Sequence, residues 1–536
     1  MELSLKGIKD IKAWECANIK LPKYDIEQMR KKSAESPVWV HFGAGNIFRG
    51  YIADLADKLL DMGEAETGII AADTFDHEII SRIYDNFDNL TLCVGLKPDG
   101  NNNMNVIASV SEAIAADTSN EKSFGRLKEI AADPSLQMIS FTITEKGYAI
   151  SDMQGEYFPI VKSDIETGTK APKHAMSIVA ALIYERFMTC KKPVALVSMD
   201  NCSHNGEKLK SSVVAIANEW YKKGFVGEDF LEYLNNEKMV SFPWSMIDKI
   251  TPRPDISIKE QLTKLGVINM DPVTTGKKTF IAPFVNAEIP QYLVIEDSFP
   301  NGRPALHKAG VYFTDRETVN NSERMKVTTC LNPLHTALAI FGCLLGFTKI
   351  SDEMQDEDLR RLVEALGYKE GIPVVVDPKI IDPMDFIKEV LCERLPNPYL
   401  PDTPQRIATD TSQKLAIRFG ETIKAYEAEG KQDQLKFIPL VISAWLRYLI
   451  GKDDNGNEME LSPDPMSENL REALCSIKMG EKIRDRSGIE EILHNKVLFG
   501  TDLCSNGMSE IIIELFEKML SENGMVRKTL HYYVSE

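Results

Sequence analysis

The stretch "KVTTCLNPLHTALAIFG", residues 326–342, places Lys326, Asn332 and His335 at the head of an apolar run. These are groups that hold or move protons. A lysine serves as acid or base near neutral pH when burial and nearby positive charge lower its pKa. An asparagine amide donates to a developing alkoxide without protonating it, and a histidine orients a hydroxyl or the lysine. Polar groups at such a place cost stability unless each finds a partner, so the plain alternative is a capped helix end with a satisfied histidine. Pro333 adds a covalent constraint, because it has no N–H for the carbonyl of Thr329. A helix through this stretch must widen or break, or else Asn332 is an N-cap with Pro333 in the first helical position.

A second stretch, "HFGAGNIFRG", sets Gly43 and Gly45 after one apolar run and before another. Glycines between a strand and a helix let the turn tighten and let a pyrophosphate approach the helix N-terminus. Phe48 stands where a third glycine is usual, and Arg49 is placed to reach a phosphate. Asp73 ends the next apolar run, "GIIAAD". A carboxylate there accepts hydrogen bonds from an adenosine ribose and repels a 2′-phosphate, which favours NAD over NADP. The expected cofactor set is therefore Gly43, Gly45, Asn46, Phe48, Arg49 and Asp73. A structural turn, with Asp73 as a helix cap, is the competing reading.

The elements that position these residues follow from hydrophobic pattern. "VWVHFGAGN" reads as a strand entering the turn, "IFRGYIADLADKLLDMG" as a helix and "TGIIAAD" as a second buried strand. Further short apolar runs, "MISFTIT" and "PVALVSMD", alternate with helical segments such as "HAMSIVAALIYERFMT". The alternation predicts an open, parallel α/β sheet of Rossmann type. The strand pattern ends near "EDSFPNGRPALHKAG", and beyond it the runs "EDLRRLVEALGY", "DFIKEVLCERL", "FIPLVISAWLRYLI" and "SEIIIELFEKML" have helical periodicity. Two domains are expected, residues 1–321 as the α/β cofactor domain and 322–536 as a mostly helical substrate domain.

Composition sets the outer limits. The chain has 536 residues and a formal net charge of −18, which argues against nucleic acid or an anionic membrane as the main partner. The 9 cysteines form no C-x-x-C pair, a pattern that fits a reducing cytoplasm and implies no structural metal site. The N-terminal residues lack the pattern of a signal peptide, and the longest apolar stretch, "TALAIFGCLLGF", is too short to span a bilayer. A cytoplasmic enzyme acting on a small molecule is the expectation.

Seven segments taken together, in order, resemble one family, the polyol-specific long-chain dehydrogenases. They are "FGAGNIFRG", "TITEKGY", "SMDNCSHNG", "FPWSMIDKITP", "IEDSFPNGRPALHKAGV", "KVTTCLNPLHTALAIFG" and "NPYLPDTPQRIATDTSQK". The resemblance implies a Rossmann-like domain, a helical C-terminal domain and a metal-independent, NAD-dependent site in the cleft between them. It places the catalytic lysine at Lys326 with Asn332 and His335 as partners. Substrate contacts fall on Asn201, Asp248, Arg406 and Lys414. Asp200 and His204, beside Asn201, read as turn formers. One departure stands out: Lys326 lies six residues before Asn332, where the family has five. On a regular helix, nine steps at about 100° each would turn Lys326 away from His335.

The implied reaction interconverts a keto group and a secondary alcohol on an acyclic sugar derivative. Arg406, Lys414, Lys249 and Arg253 could supply positive charge for a carboxylate. That favours a sugar acid, fructuronate being reduced to mannonate, with tagaturonate reduction and mannitol 2-dehydrogenation as alternatives. A catalytically silent sugar-acid binding protein is the reading of another class, kept open by the lysine spacing. Members of the family are often monomers, so a monomer is expected, with a dimer as the alternative.

Overall fold

The computed structural model describes residues 1–535. The chain divides into two compact units, Met1–Asn320 and Asn321–Glu536.

The first unit is built on six parallel strands: Trp39–Phe42 (β1), Ile69–Asp73 (β2), Val110–Ala115 (β3), Met138–Phe141 (β4), Val194–Ser198 (β5) and Val240–Ser241 (β6). Their spatial order is β3-β2-β1-β4-β5-β6. Every residue of β1, β2, β4 and β5 is buried, which is why these strands read as unbroken apolar runs. Val40 and Phe42 join Ile139, Phe141 and Leu196 in one core, while Trp39 joins Met138, Ala195 and Val197 in the other. The order reverses direction at β1, whose neighbours are β2 and β4. The crevice beyond the carboxyl ends of β1 and β4 is thus the topological switch point, where open α/β sheets bind ligands.

Smaller sheets are added to this frame. Thr91–Leu96 pairs antiparallel with Asn103–Ile107 and parallel with Phe284–Glu288. Ser245–Asp248 (β7) pairs antiparallel with Tyr292–Glu296 (β8), which pairs parallel with Tyr312–Thr314 (β9). The strand pattern therefore continues past the proline- and glycine-rich segment where it was expected to end. The short β9 is only partly buried and carries little apolar signal of its own.

The second unit is helical. The helix Arg316–Met325 (α2, counting Asn205–Lys222 of the first unit as α1) runs into a π turn, Lys326–Cys330, and then into Asn332–Leu345 (α3). From Pro333 to Leu344, α3 is buried at every residue except His335. Such a helix needs neighbours on all sides, and Phe437–Leu449 (α4), itself wholly buried, is one of them. Ser509–Leu520 (α5) packs on α4 in turn. The run Arg316–Leu345 has 30 residues, more than the apolar stretch alone suggested, and is long and apolar enough to cross a membrane. Its apolar window is 78% buried inside the protein, which accounts for that character as a core helix.

Candidate active site

In the first unit the residues of interest gather at the carboxyl edge of the parallel sheet. Gly43 leaves β1 with a φ of +106°, and a Cβ there would stand 2.1 Å from the carbonyl oxygen of Thr142. Only glycine fits. The peptide that follows is held from both sides: the Ala44 N–H donates to Asp73 Oδ2 at 3.0 Å, and the Ala44 carbonyl accepts from the Tyr84 hydroxyl at 2.9 Å. Gly45 is different. A Cβ there would meet nothing within 4 Å, so the chain itself does not demand glycine at this position. The open space lies over the start of a helix, where a pyrophosphate would sit. Asn46 begins that helix, and its buried Oδ1 has no hydrogen-bond partner among the described residues. The turn thus fits a dinucleotide: a shaped backbone, room above it for the pyrophosphate and an unused acceptor that suits a ribose hydroxyl.

Two expected cofactor contacts, Arg49 and Phe48, are corrected, and Asp73 has further partners. Arg49 does not face a phosphate. The helix widens into a π turn over Phe48–Ile52, and Arg49 is fully buried, donating to Thr91 Oγ1 at 3.2 Å and to the Pro283 carbonyl at 3.0 Å. Phe48 is also fully buried, with its ring stacked on His41 at 4.5 Å, so it packs beneath the turn and offers no ligand surface. His41 itself is a satisfied core histidine, bonded to Ser140 and Thr142, and burial lowers its pKa to about 3. Asp73 has a largely structural task. Besides Ala44, its carboxylate accepts from the N–H groups of Phe75 at 2.9 Å and Asp76 at 2.7 Å. Burial raises its pKa, and these three backbone donors oppose the rise.

Asn201 is exposed in the turn after β5. Its neighbour Asp200 shapes that turn, accepting from the N–H groups of Ile143 and Thr144 at 2.8 and 3.0 Å and from the Tyr148 hydroxyl at 2.6 Å. Asn205, which the sequence did not single out, is buried and ties the same turn to β7. Its Nδ2 donates to the carbonyls of Asp200 and Ser245 at 3.0 and 2.9 Å, and its Oδ1 accepts from the Ser245 N–H at 3.0 Å. At the far end of β7, Asp248 is 6% exposed. Lys249 is no longer a candidate for charge recognition: its amine donates to the Glu288 carbonyl and to Gln291 Oε1, and burial lowers its pKa. Arg253 is exposed.

In the second unit, Lys326 opens the π turn and is 2% exposed. The turn closes with the Leu331 N–H donating to the Lys326 carbonyl at 3.1 Å, and α3 then begins with the His335 N–H donating to the Leu331 carbonyl at 3.0 Å. Of the two expected ways to absorb the extra residue, widening is therefore the one adopted. Asn332 is not the N-cap, because Leu331 takes that position and no side chain caps the helix. The Asn332 amide is left to other work.

His335 Nε2 lies 3.5 Å from Asp402 Oδ2 and makes no hydrogen bond among the described residues. Burial lowers its pKa to about 4; Asp402 opposes this, while Arg418, Arg406 and Arg394 add to it. The imidazole is therefore neutral at neutral pH. Arg406 is exposed and paired with Asp402, four residues before it. The Lys414 amine donates to the carbonyls of Thr409 and Ile407, and burial and then Arg418 lower its pKa. Asp402, Arg394 and Arg418 were not foreseen. Asp402 does lie inside the segment "NPYLPDTPQR", but nothing local to the sequence distinguishes the two arginines from surface ones.

Residues 38–308 match the mannitol dehydrogenase Rossmann domain, and residues 318–520 match the mannitol dehydrogenase C-terminal domain. The chain belongs to the mannitol dehydrogenase family. Among members of that family, it is 55% identical to a D-mannonate oxidoreductase of Thermotoga maritima over 538 residues, covering 100% of this chain and 99% of the relative. The structure of Pseudomonas fluorescens mannitol 2-dehydrogenase, a ternary complex with NAD and D-mannitol, matches with a TM-score of 0.70 at 26% identity, covering 100% of both chains. A substrate-free D-sorbitol dehydrogenase shares the fold, with a TM-score of 0.79 at 23% identity over 96% of this chain and 97% of its own. The mannitol dehydrogenase fold thus extends over both units.

Proposed function

We propose that the chain is an NAD-dependent oxidoreductase that reduces fructuronate to mannonate. The observation that carries this reading is the 55% identity, over the full length, to a D-mannonate oxidoreductase. The basic group of Arg394, Arg406 and Arg418 around His335, with Lys414 in the field of two of them, supports it, because clustered cations suit a carboxylate-bearing substrate better than a neutral polyol. The P. fluorescens complex contains NAD. Here the Gly43 turn, the space over Gly45 and the Asn46 acceptor would hold that cofactor.

Bound NADH supplies a hydride from the nicotinamide to the keto carbon. The residues of this chain handle the proton. In reduction, the Lys326 ammonium gives a proton to the keto oxygen as it becomes an alkoxide; in oxidation, the free amine takes it back from the hydroxyl. The Asn332 amide donates a neutral hydrogen bond to that oxygen and holds its developing charge. His335, neutral as argued above, exchanges a hydrogen bond with a substrate hydroxyl. Asn201 and Asp248 offer a donor and an acceptor to the other hydroxyls of the sugar chain.

Following NADH consumption with fructuronate, tagaturonate and fructose tests the reading. Fructuronate should give the highest kcat/KM of the three by at least about tenfold. A preference for fructose would make the protein a mannitol 2-dehydrogenase instead. No consumption with any of the three would leave a silent sugar-acid binding protein.

A further inference from the structure

Arg418 lies in the π turn Ala416–Gly420 of the helical unit, partly buried, and its surroundings differ from those of the buried Arg186 and Arg447. Arg186 spends its guanidinium on five backbone carbonyls, those of Lys192, Ala131, Asp133, Leu136 and Pro193. Arg447 donates to the carbonyls of Met519, Lys452 and Asp453. Arg418 makes a single side-chain hydrogen bond among the described residues, from Nη1 to the Thr336 hydroxyl. Among the described residues no carboxylate stands within ion-pairing distance of it. Its field reaches Lys414 and the neutral His335, and Arg406 acts on the same two groups, while Asp402 acts on His335 and Asp410 and Asp464 act on Lys414. A guanidinium that is partly withdrawn from water and has most of its donors unspent among the described residues is costly to keep. An anionic ligand removes that cost.

The position suits a substrate. Thr336, which accepts from Arg418, donates in turn to the Asn332 carbonyl at 2.9 Å. The guanidinium therefore stands one hydroxyl away from the helical turn that carries Asn332 and His335. The other basic groups are less available. Arg406 is 60% exposed and paired with Asp402, and Lys414 is turned onto the carbonyls of Ile407 and Thr409.

We propose that Arg418 is the residue that binds the carboxylate of the sugar-acid substrate and thereby sets the preference for an acid over a neutral ketose. Its planar fork of N–H donors matches a carboxylate in two-point fashion, whereas a lysine offers one point. The proposal rests on the fructuronate reading above and assigns the charge recognition to Arg418 instead of Arg406.

The test uses the full-length protein with NADH and compares wild type with Arg418→Met and Arg418→Lys. NADH binding, read by its fluorescence, reports that each variant is folded. Arg418→Met should raise KM for fructuronate by about thirtyfold with kcat changed much less, the scale of a lost charge-assisted hydrogen bond. Arg418→Lys should fall between, and it carries the test alone should the methionine variant fail to bind NADH. Any turnover of fructose should be unaffected or improved. An unchanged KM for fructuronate in either folded variant overturns the proposal, as does an equal loss on acid and ketose, which marks a purely structural arginine. If wild type ignores fructuronate but reduces tagaturonate with the same dependence on Arg418, the proposal stands and the fructuronate reading falls. If wild type reduces only fructose, both fall.

Discussion

The backbone N–H of Leu331 donates to the carbonyl of Lys326, five residues earlier, at 3.1 Å. This bond closes the π turn Lys326–Cys330, and it is how an additional residue before Asn332 is taken in before α3 starts afresh at Leu331. One extra residue in a turn changes the phase of Lys326 relative to His335 by about 100°. The reason for that widening is visible at Pro333, which has no N–H to continue the regular ladder back to Thr329.

If Lys326 is the acid and base, Lys326→Ala should slow hydride transfer in a single turnover by at least about a hundredfold. NADH should bind to the variant as it does to wild type. Near-normal turnover would remove the lysine from the mechanism.

The two glycines of the cofactor turn should behave differently. Gly43→Ala forces a Cβ against the Thr142 carbonyl at a φ of +106° and should cost about 2 kcal/mol or more in thermal unfolding. Gly45→Ala meets nothing within 4 Å and should leave stability within about 0.5 kcal/mol. Yet it should weaken NADH binding at least tenfold, because the added methyl takes the space reserved for the pyrophosphate. Unimpaired NADH binding by Gly45→Ala would place the cofactor elsewhere.

Asp73 separates two roles. As the acceptor for Ala44, Phe75 and Asp76, it should lose about 1–3 kcal/mol of stability on conversion to Asn and weaken NADH and NADPH together. A selective gain for NADPH, with stability unchanged, would assign its carboxylate chiefly to the ribose.

Glu353 is fully buried, both of its carboxyl oxygens lack hydrogen-bond partners among the described residues, and burial raises its pKa from 4.5 to about 10. A folded-state pKa above the unfolded value means that the native protein holds a proton the unfolded chain has released. The contribution is full below about pH 4.5 and is lost as pH rises toward 10. Glu353→Met should therefore flatten the dependence of Tm on pH between 5 and 9 and exceed wild type at the alkaline end. Parallel curves for the two proteins would contradict this account.

What the sequence determined by itself is local and covalent. The absence of an N–H at Pro333 demanded an irregular helix, and the buried strands of the parallel sheet announced themselves because both of their faces must be apolar. Gly43 was legible because its backbone conformation excludes every other residue. The tertiary structure decided which polar side chains remain free for a ligand. Arg49, adjacent to the glycine turn, donates to the carbonyl of Pro283, 234 residues away, and is lost to the cofactor. Asp73 at its strand end is drawn onto three backbone donors. Arg406 is paired with Asp402, while Arg418, which has no distinguishing local pattern, reaches Thr336 across 82 residues and keeps most of its donors. A hydrogen-bonding group is committed or available according to what the folded chain brings within about 3 Å of it, and partners so far apart in sequence leave no local mark.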